Sequence, residues 1–328
     1  MRRARRYLWT IVLLGIVFSL FVLSGCSTRR LEGERIIIGV RTSNCQSPFF
    51  IADKQGLYEK LGVKAEVQLI LSNTEIIEAA QRGDLQMGSL PITTAIAAIS
   101  RGTDIVIVAA TGRGSDGILT RAADGYRTLE DLRGKKVATI RGSILDVLLR
   151  MALESEGLDP NRDLTLVYFN KLGDMISALK TGQVDATSNT EPFMTEAVRQ
   201  GWGHILSYYT AQWPDHPCCI VFAQRDFARN HPRELEKILQ AHLQAVDYAC
   251  DHRQENSAVV VEYLGAFDKE LVFASLAPEK MRLDASLTSD EVVRMAEYMQ
   301  AYGLIDDVPP AERLVDLSYL TRAKEALK

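Results

Sequence analysis

Residues 35–43 of the chain read RIIIGVRTS, and residues 135–143, 100 positions later, read KKVATIRGS. The β-branched run in each copy predicts a buried strand. A helical pattern follows each copy and ends at a glycine, Gly62 in the first and Gly157 in the second. Glycine readily adopts the left-handed conformation that closes a helix. The two segments therefore predict two similar strand–loop–helix units.

A second pair of segments extends the repeat. Residues 83–89 (GDLQMGS) lie 99 positions before residues 182–188 (GQVDATS). Each segment follows a helix-like stretch and precedes a further helix with a proline, Pro91 or Pro192, in its first turn, where a missing N–H is tolerated. Strands that alternate with helices predict βαβ units and a parallel sheet. The nearly constant offset predicts two similar α/β lobes.

The chain is expected to cross between these lobes twice. Residues 117–121 have the character of a strand that leaves the first lobe, and residues 219–223 that of a strand that returns to it. From Pro232 onward, apolar residues at helical spacing predict helices. We assign residues 35–122 and 215–328 to lobe I, residues 123–214 to lobe II, and a hinge to the two crossings.

The N-terminus has the layout of an export signal. Four arginines precede the uncharged apolar stretch Leu8–Leu23, which is short for a membrane span. The sequence Leu23-Ser24-Gly25-Cys26 resembles a bacterial lipobox, in which the cysteine receives the lipid. We expect residues 1–25 to be a signal peptide, Cys26 to be lipidated and residues 26–34 to be a tether. The protein is then exported and held at the membrane, by either the general or the twin-arginine pathway.

Composition excludes several classes of protein. The 328 residues carry a formal charge of −4, which disfavours a nucleic-acid partner, and five cysteines do not make a disulfide-dense scaffold. The 47% hydrophobic content is typical of a globular protein. No Ser-His-Asp, HExxH, CxxC or Walker signature occurs at a workable spacing. We therefore predict neither an enzyme nor a bound cofactor or metal.

The lipobox and four later motifs together resemble those of solute-binding lipoproteins of ABC importers, in the nitrate/sulfonate/taurine and thiamine-precursor branch. The later motifs are PFFIA at residues 48–52 with GLY at 56–58, Gly-x-x-Asp-Ala at 182–186, Glu191-Pro192, and HPCC at 216–219. The resemblance implies a type II periplasmic-binding fold with two α/β lobes, a two-strand hinge and a ligand enclosed between them. It also implies the membrane subunits of an ABC permease as partners, and we expect a monomer.

The loops that follow the strands are the candidate binding site, because ligands of α/β sheets bind beyond the carboxyl ends of the strands. Helix starts in such loops offer free N–H groups to an anion. The alternative is that these are ordinary caps and turns. The candidate ligand-binding residues are Asn44, Cys45, Ser47, Phe49, Pro91, Gly112, Ser115, Arg141, Gly142, Ser143, Glu191, Phe193, His216 and Cys218.

The sequence leaves the ligand open between two kinds. A compact anion such as a sulfonate suits the helix starts, whereas a carboxylate of Glu191 in the cleft would repel it and favour an amine or a ring N–H. Aromatic residues such as Phe193 suit a pyrimidine-like heteroaromatic. Cys45 and Cys218 both fall on expected cleft loops, where they could form a disulfide or act as paired soft metal ligands.

Two other functions remain as alternatives. Pyrimidine synthases of the thiamine pathway resemble this branch, but their hallmark is a longer cysteine-rich run than the HPCC of residues 216–219, and the lipobox places this chain outside the cell. A ligand-sensing lipoprotein that docks on a membrane kinase is the second alternative.

Overall fold

A computed structural model describes residues 35–41, 43–265 and 267–328. The predicted signal peptide, the tether and the lipidation site at Cys26 lie outside these residues. Within them, no helix is both long and apolar enough to cross a membrane.

The first of two sheets contains six strands: β1 (Ile36–Val40), β2 (Ala65–Leu69), β3 (Met87–Pro91), β4 (Ile105–Gly114), β10 (Pro217–Gln224) and β11 (Met281–Leu283). Their spatial order is β11-β4-β10-β3-β1-β2. The strands β2, β1 and β3 are parallel, while β10 runs antiparallel to both β3 and β4. Almost every residue of β1, β3 and β4 is buried.

The second sheet contains five strands: β5 (Asp116–Arg121), β6 (Lys136–Thr139), β7 (Thr165–Tyr168), β8 (Ala186–Thr190) and β9 (Gly203–Tyr208). Their order, β7-β6-β8-β5-β9, repeats the order β2-β1-β3-β10-β4 of the first sheet. The repeat predicted from sequence is thus confirmed. The predicted parallel sheets are wrong in one respect, because each sheet receives one antiparallel strand from the crossing chain, β10 or β5, and is mixed.

Helices surround both sheets: α1 Ser47–Lys54, α2 Leu57–Lys60, α3 Asn73–Arg82, α4 Ile92–Ser100, α5 Ile144–Ser155, α6 Leu172–Lys180, α7 Phe193–Arg199, α8 Arg225–Asn230, α9 Pro232–Asp251, α10 Arg253–Leu264, α11 Lys269–Ser275, α12 Ser289–Ala301, α13 Ala311–Leu314 and α14 Ser318–Glu325. At the start of α12, Thr288 and Glu291 form a reciprocal capping box. Pro91 and Pro192 precede α4 and α7 as cap residues instead of lying inside the first turn.

The chain passes between the sheets at two points, and both carry unusual backbone. Ser115 separates β4 from β5, and Asp215 lies shortly before β10. Their φ angles are 77° and 54°, and they are the two non-glycine residues with positive φ in the described part of the chain. Such conformations are costly for residues with a Cβ. Both residues lie between elements, which is where hinges concentrate backbone rotation.

The lobe boundaries at residues 122 and 214 remain predictions. The strand β5 falls within the range 35–122 that we assigned to lobe I, but its hydrogen bonds join it to β8 and β9 of the second sheet. The first exchange of sheets therefore occurs at Ser115, since β4 belongs to the first sheet and β5 to the second.

Candidate functional site

The carboxyl end of β8 lies beside Ser115, where the chain first crosses between the sheets. Glu191, just after β8, donates its backbone N–H to the Ser115 carbonyl oxygen at 2.9 Å. The Ser115 hydroxyl lies 3.0 Å from the hydroxyl oxygen of Thr190. These contacts extend the pairing of β5 with β8 up to Ser115, so the loop after β8 is held at the first crossing between the sheets.

The loop after β1 folds into a short 3₁₀ helix, Asn44–Gln46, before α1 begins. The side chain of Gln46 accepts a hydrogen bond from the backbone N–H of Arg41 and closes the loop. Asn44 donates to the Ser275 hydroxyl at 2.9 Å, and Ser47 is fully buried. The hydroxyl oxygens of Ser43 and Ser47 have no hydrogen-bond partner among the described residues. Buried hydroxyls without partners are uncommon, so these two are candidates to meet a ligand.

A third unpartnered hydroxyl lies at the same edge. Thr93 is buried in the first turn of α4, and its Oγ1 has no partner in the described part of the chain. Because β1 and β3 are adjacent and parallel, the helix starts that follow them lie side by side. Neither α1 nor α4 has an acidic residue in its first turn. This edge of the first sheet therefore combines hydroxyl donors with helix N-termini that no nearby carboxylate of the same turn neutralises.

Three cysteine thiols meet beside this loop. The Sγ atoms of Cys45, Cys218 and Cys219 all lie within 4.8 Å of one another, and all three residues are buried. The cysteines are free thiols. Adjacent residues of a regular strand point to opposite faces, but register shifts on both sides of Cys219 interrupt the pairing of β10 with β4. This bulge explains how Cys218 and Cys219 bring their sulfur atoms within 3.8 Å.

The thiols share their protons unequally. The pKa of Cys45 lies well below its usual value because hydrogen bonds from the thiols of Cys218 and Cys219 stabilise its thiolate. For the complementary reason, hydrogen bonding to Cys218 and then to Cys45 raises the pKa of Cys219. The Ser115 hydroxyl adds a contact of 3.8 Å to the sulfur of Cys218. The hydrogen bonds within the cluster thus favour a thiolate at Cys45 over one at Cys219.

A carboxyl–imidazole pair lies next to the cluster. An oxygen of Asp116 is 3.5 Å from Nε2 of His216, and both side chains are buried. Burial, followed by the charge of Cys218, raises the pKa of Asp116 to about 7. His216 also has its Nδ1 within 3.2 Å of the Trp213 carbonyl oxygen. The predicted binding residue His216 is therefore held inside the hinge.

The loop after β6 differs from its counterpart in the first sheet. Asp146, in the first turn of α5, accepts the backbone N–H of Gly142 at 2.9 Å. Its other oxygen accepts Nε of Arg150 at 2.9 Å, and both side chains are buried. Ser143 donates its hydroxyl to the Ile140 carbonyl oxygen at 2.7 Å. The helix start that the sequence offered to an external anion already holds a carboxylate of the chain.

Glu191 also has partners within the protein. Its carboxylate accepts hydrogen bonds from the Tyr208 hydroxyl and from the backbone N–H of Thr195 at 3.2 Å. Burial raises its pKa, although the Tyr208 hydrogen bond opposes that shift. Lys280 lies close enough to influence the carboxylate and donates to the Thr195 hydroxyl at 2.9 Å. Glu191 thus links β9 to the start of α7.

The remaining predicted site residues fall into three environments. Phe49 is fully buried against His242, at 4.8 Å between ring centroids, whereas Phe193 packs edge-on against Phe267 and is half-buried. Gly112 lies under Cys45, since a Cβ there would come within 2.7 Å of the cysteine sulfur. Pro91 is half-buried at the end of β3, and Arg141 is exposed over the ring of Tyr168. The structure thus brings Asn44, Cys45, Ser47, Gly112, Ser115, His216 and Cys218 together near the hinge, and it leaves Arg141 outside.

Sequence reasoning missed three features of this site. Asp146 carries a recognisable signal, because Ser143-Ile144-Leu145-Asp146 fits the Ser-x-x-Asp capping pattern. Thr93 lies in the first turn of the helix that begins after Pro91. It could have been found from the sequence, because helix starts that follow strands are the predicted anion-binding positions. The thiol of Cys219 could not be placed, because the bulge that redirects it has no signature in the sequence.

The chain is similar to several known proteins. A family model described as the NMT1-like family matches residues 29–265. The chain belongs to the NMT1-like family. A family relative from Bacillus subtilis (strain 168), described as a putative aliphatic sulfonates-binding protein, is 25% identical over 332 residues, which cover 95% of this chain and 96% of that protein. The nitrate import ATP-binding protein NrtC of Synechococcus elongatus is 27% identical over 72% of this chain, which spans only 39% of that protein.

Solved structures show the fold. The periplasmic aliphatic sulphonate binding protein SsuA of Escherichia coli superposes with a TM-score of 0.76 at 20% identity, over 86% of this chain and 92% of that one. The periplasmic nitrate-binding protein NrtA of Synechocystis PCC 6803 gives 0.77 at 16% identity, over 90% and 89%. The two-lobed α/β fold predicted from the sequence is that of these periplasmic binding proteins.

Proposed function

We propose that this chain is an extracytoplasmic solute-binding protein, anchored by lipid at Cys26, that captures a small oxyanion and delivers it to an ABC importer. The observation that carries the proposal is the set of unpartnered buried hydroxyls of Ser43, Ser47 and Thr93 at two adjacent helix starts. Hydroxyl donors at helix N-termini suit an anion that brings no countercharge. The aliphatic sulfonates-binding relative and the nitrate-binding structure are consistent with this class of ligand.

A heteroaromatic ligand has less support. Its best contact in the cleft would be the carboxylate of Glu191, but each oxygen of that carboxylate already accepts a hydrogen bond, from Tyr208 or from Thr195. We therefore favour an oxyanion of the nitrate or sulfonate class over a pyrimidine-like ligand, and binding without catalysis over an enzyme.

Hinge closure is the proposed mechanism. Contacts at the rim join residues after β10 to helices of the second sheet: Arg199 pairs with Asp268 at 2.6 Å, and the Tyr302 hydroxyl donates to Glu154 at 2.7 Å. Exposed contacts of this kind contribute little to stability, because water competes for the hydrogen bond and screens the ion pair. They can therefore break and form as the lobes open and close. A ligand that binds the closed state more tightly shifts the population toward it.

The first experiment is native mass spectrometry of the full-length protein, purified in mild detergent without added ligand. We expect a retained mass in the range of a small oxyanion, released on denaturation. Titration with nitrate and ethanesulfonate should then raise the melting temperature and reduce the radius of gyration in small-angle scattering. If neither anion changes the melting temperature or the radius, the proposal fails.

The variant Glu191→Gln separates the two ligand classes. An oxyanion should bind equally well or more tightly, because a negative charge is removed. A ligand held through an N–H should bind about tenfold or more weakly, because a charge-assisted hydrogen bond is worth about 1.5–3 kcal/mol. Loss of oxyanion binding in this variant, with the fold intact by circular dichroism, would contradict the assignment.

A further inference from the structure

The cysteine cluster has the arrangement of a metal site. Cys45 comes from the 3₁₀ helix after β1, and Cys218 and Cys219 come from the bulge that opens β10. The three residues are thus brought together by the tertiary fold, from positions more than 170 residues apart in the sequence. Each is less than a tenth exposed, so the thiols face one another and not the solvent.

The spacing of the sulfur atoms fits a single ion. A zinc–thiolate bond is about 2.3 Å long, so two thiolates on one tetrahedral ion lie about 3.8 Å apart. The sulfur atoms of Cys218 and Cys219 are separated by 3.8 Å, and no pair in the cluster exceeds 4.8 Å. A small inward movement of the sulfur of Cys45 would complete a three-thiolate site.

The donor set decides the kind of ion. Thiolates are soft ligands that select zinc-like ions and monovalent copper over magnesium or calcium. Three thiolates carry three negative charges. One of these charges remains unbalanced when a divalent ion binds, and two remain when a monovalent ion binds. Uncompensated charge in a buried site is costly. A divalent ion therefore fits better, and the Ser115 hydroxyl beside Cys218 offers an oxygen close to it.

We propose that Cys45, Cys218 and Cys219 bind one divalent thiophilic cation of the zinc class at the hinge. The donors of this site are thiols and not the hydroxyls of Ser47 and Thr93, so the proposal does not depend on the identity of the transported solute. Its test needs only the purified protein, so failure of the solute-binding proposal leaves the outcome unaffected.

The test is a titration of the reduced, metal-free full-length protein with Cd²⁺, followed through thiolate-to-metal charge-transfer absorption, with Zn²⁺ as the competitor. We expect saturation at one equivalent and displacement of Cd²⁺ by Zn²⁺. Loss of a mere outer-shell partner costs metal sites about 10–100-fold in affinity. Cys45→Ser, Cys218→Ser and Cys219→Ser should therefore each weaken binding by about 100-fold or more.

Two further variants guard against misinterpretation. Cys250→Ser removes an exposed thiol elsewhere on the protein and should leave the titration unchanged. Gly112→Ala keeps every thiol but places a methyl carbon 2.7 Å from the sulfur of Cys45, which must then move, so it should weaken Cd²⁺ binding while the circular dichroism spectrum is retained.

Three results would overturn the proposal. The first is an absence of charge-transfer absorption in the reduced protein. The second is a titration that Cys218→Ser leaves unchanged. The third is a peptide map of protein isolated without reductant in which Cys45 is joined to Cys218 or Cys219 by a disulfide.

Discussion

The loops that follow β1 and β6 begin from nearly the same sequence and end as different chemical environments. After β1, the hydroxyls of Ser43 and Ser47 have no partner in the described part of the chain, and the first turn of α1 has no acidic residue. After β6, Ser143 bonds back to the strand end and Asp146 occupies the backbone N–H of Gly142. The repeat thus preserves the fold of the two lobes but not the hydrogen bonding of the loops that follow these strands.

The difference indicates how one repeated sequence pattern can have two roles. A helix start attracts a negative charge whether that charge comes from a ligand or from the chain itself. In the second lobe the carboxylate of Asp146 satisfies this attraction permanently and also pairs with Arg150. In the first lobe the attraction remains for a solute, in keeping with the function proposed above.

The largest expected effect concerns the internal carboxylate. Asp146→Ala should lower the free energy of unfolding by about 3–5 kcal/mol, because it leaves the buried guanidinium of Arg150 without its counterion. Urea unfolding followed by circular dichroism measures the change. Asp174→Ala, an exposed acidic residue in the first turn of α6, is the matched control and should cost less than about 1 kcal/mol. Equal costs would mean that Asp146 has no special role.

Acid should lower the stability of the first lobe by protonating His242. This residue lies in α9 and packs against Phe49 of α1, the helix that follows the β1 loop. Burial lowers the pKa of His242 to about 4, from 6.5. Between these values the unfolded chain binds the proton and the folded chain does not, so stability falls as the pH falls from about 7 to about 4, by about 3 kcal/mol in all.

The variant His242→Gln tests this pH dependence. Its amide can still donate to the Ala110 carbonyl oxygen, which Nε2 of His242 contacts at 3.0 Å. The variant should flatten the unfolding free energy over this pH window, and hydrogen exchange at low pH should reveal early opening near α1 in the parent protein only. An unchanged slope would assign the acid sensitivity to other groups.

A matched serine pair tests the difference in binding directly. Ser47→Ala should weaken oxyanion binding about tenfold or more, because a hydrogen bond to a charged group is lost, and should leave stability within about 0.5 kcal/mol. Ser143→Ala should do the reverse: unchanged binding, with about 1 kcal/mol lost from the bond to Ile140. Calorimetric titration and urea unfolding of both variants suffice. Weaker binding in Ser143→Ala would restore the symmetric site that the sequence suggested.

The smallest effect should come from Arg141. Its guanidinium is exposed over the ring of Tyr168, 4.7 Å from the centroid, and exposed contacts of this kind contribute little. Arg141→Gln should change neither oxyanion affinity nor the free energy of unfolding by more than about 0.5 kcal/mol. A larger loss of affinity would mean that this side chain reaches the ligand when the lobes close.

Much of the fold could be predicted because its signals are local. Strand runs, helix periodicity and terminal glycines such as Gly303, which has a φ of 67° just after α12, depend on residues within one turn or strand. The repeat then supplied the two lobes. The exchange of β5 into the second sheet was harder to place, because strand partners far apart in sequence leave no local mark.

The site was less predictable for the same reason. That Cys45 and Cys218 share a cleft follows from the rule on strand ends, but the bulge that turns Cys219 toward them depends on the pairing of β10 with β4. Glu191 and Arg113 likewise find partners, such as Tyr208 and Glu291, that are distant in the sequence and are brought near only by the fold. Arg113, in β4, is buried and pairs with Glu291, at 2.6 Å, and with Asp284.

The internal counterion at Asp146 also bears on the order of events during capture. With its helix start already neutralised, the second lobe offers a free oxyanion little attraction at that loop while the lobes are apart. Solute would then dock on the first lobe, and the second lobe would arrive later as a lid. The association rate would depend on how exposed the first lobe is, and the residence time on how long the lid stays shut. Mutations in the two halves would accordingly separate the on-rate from the off-rate.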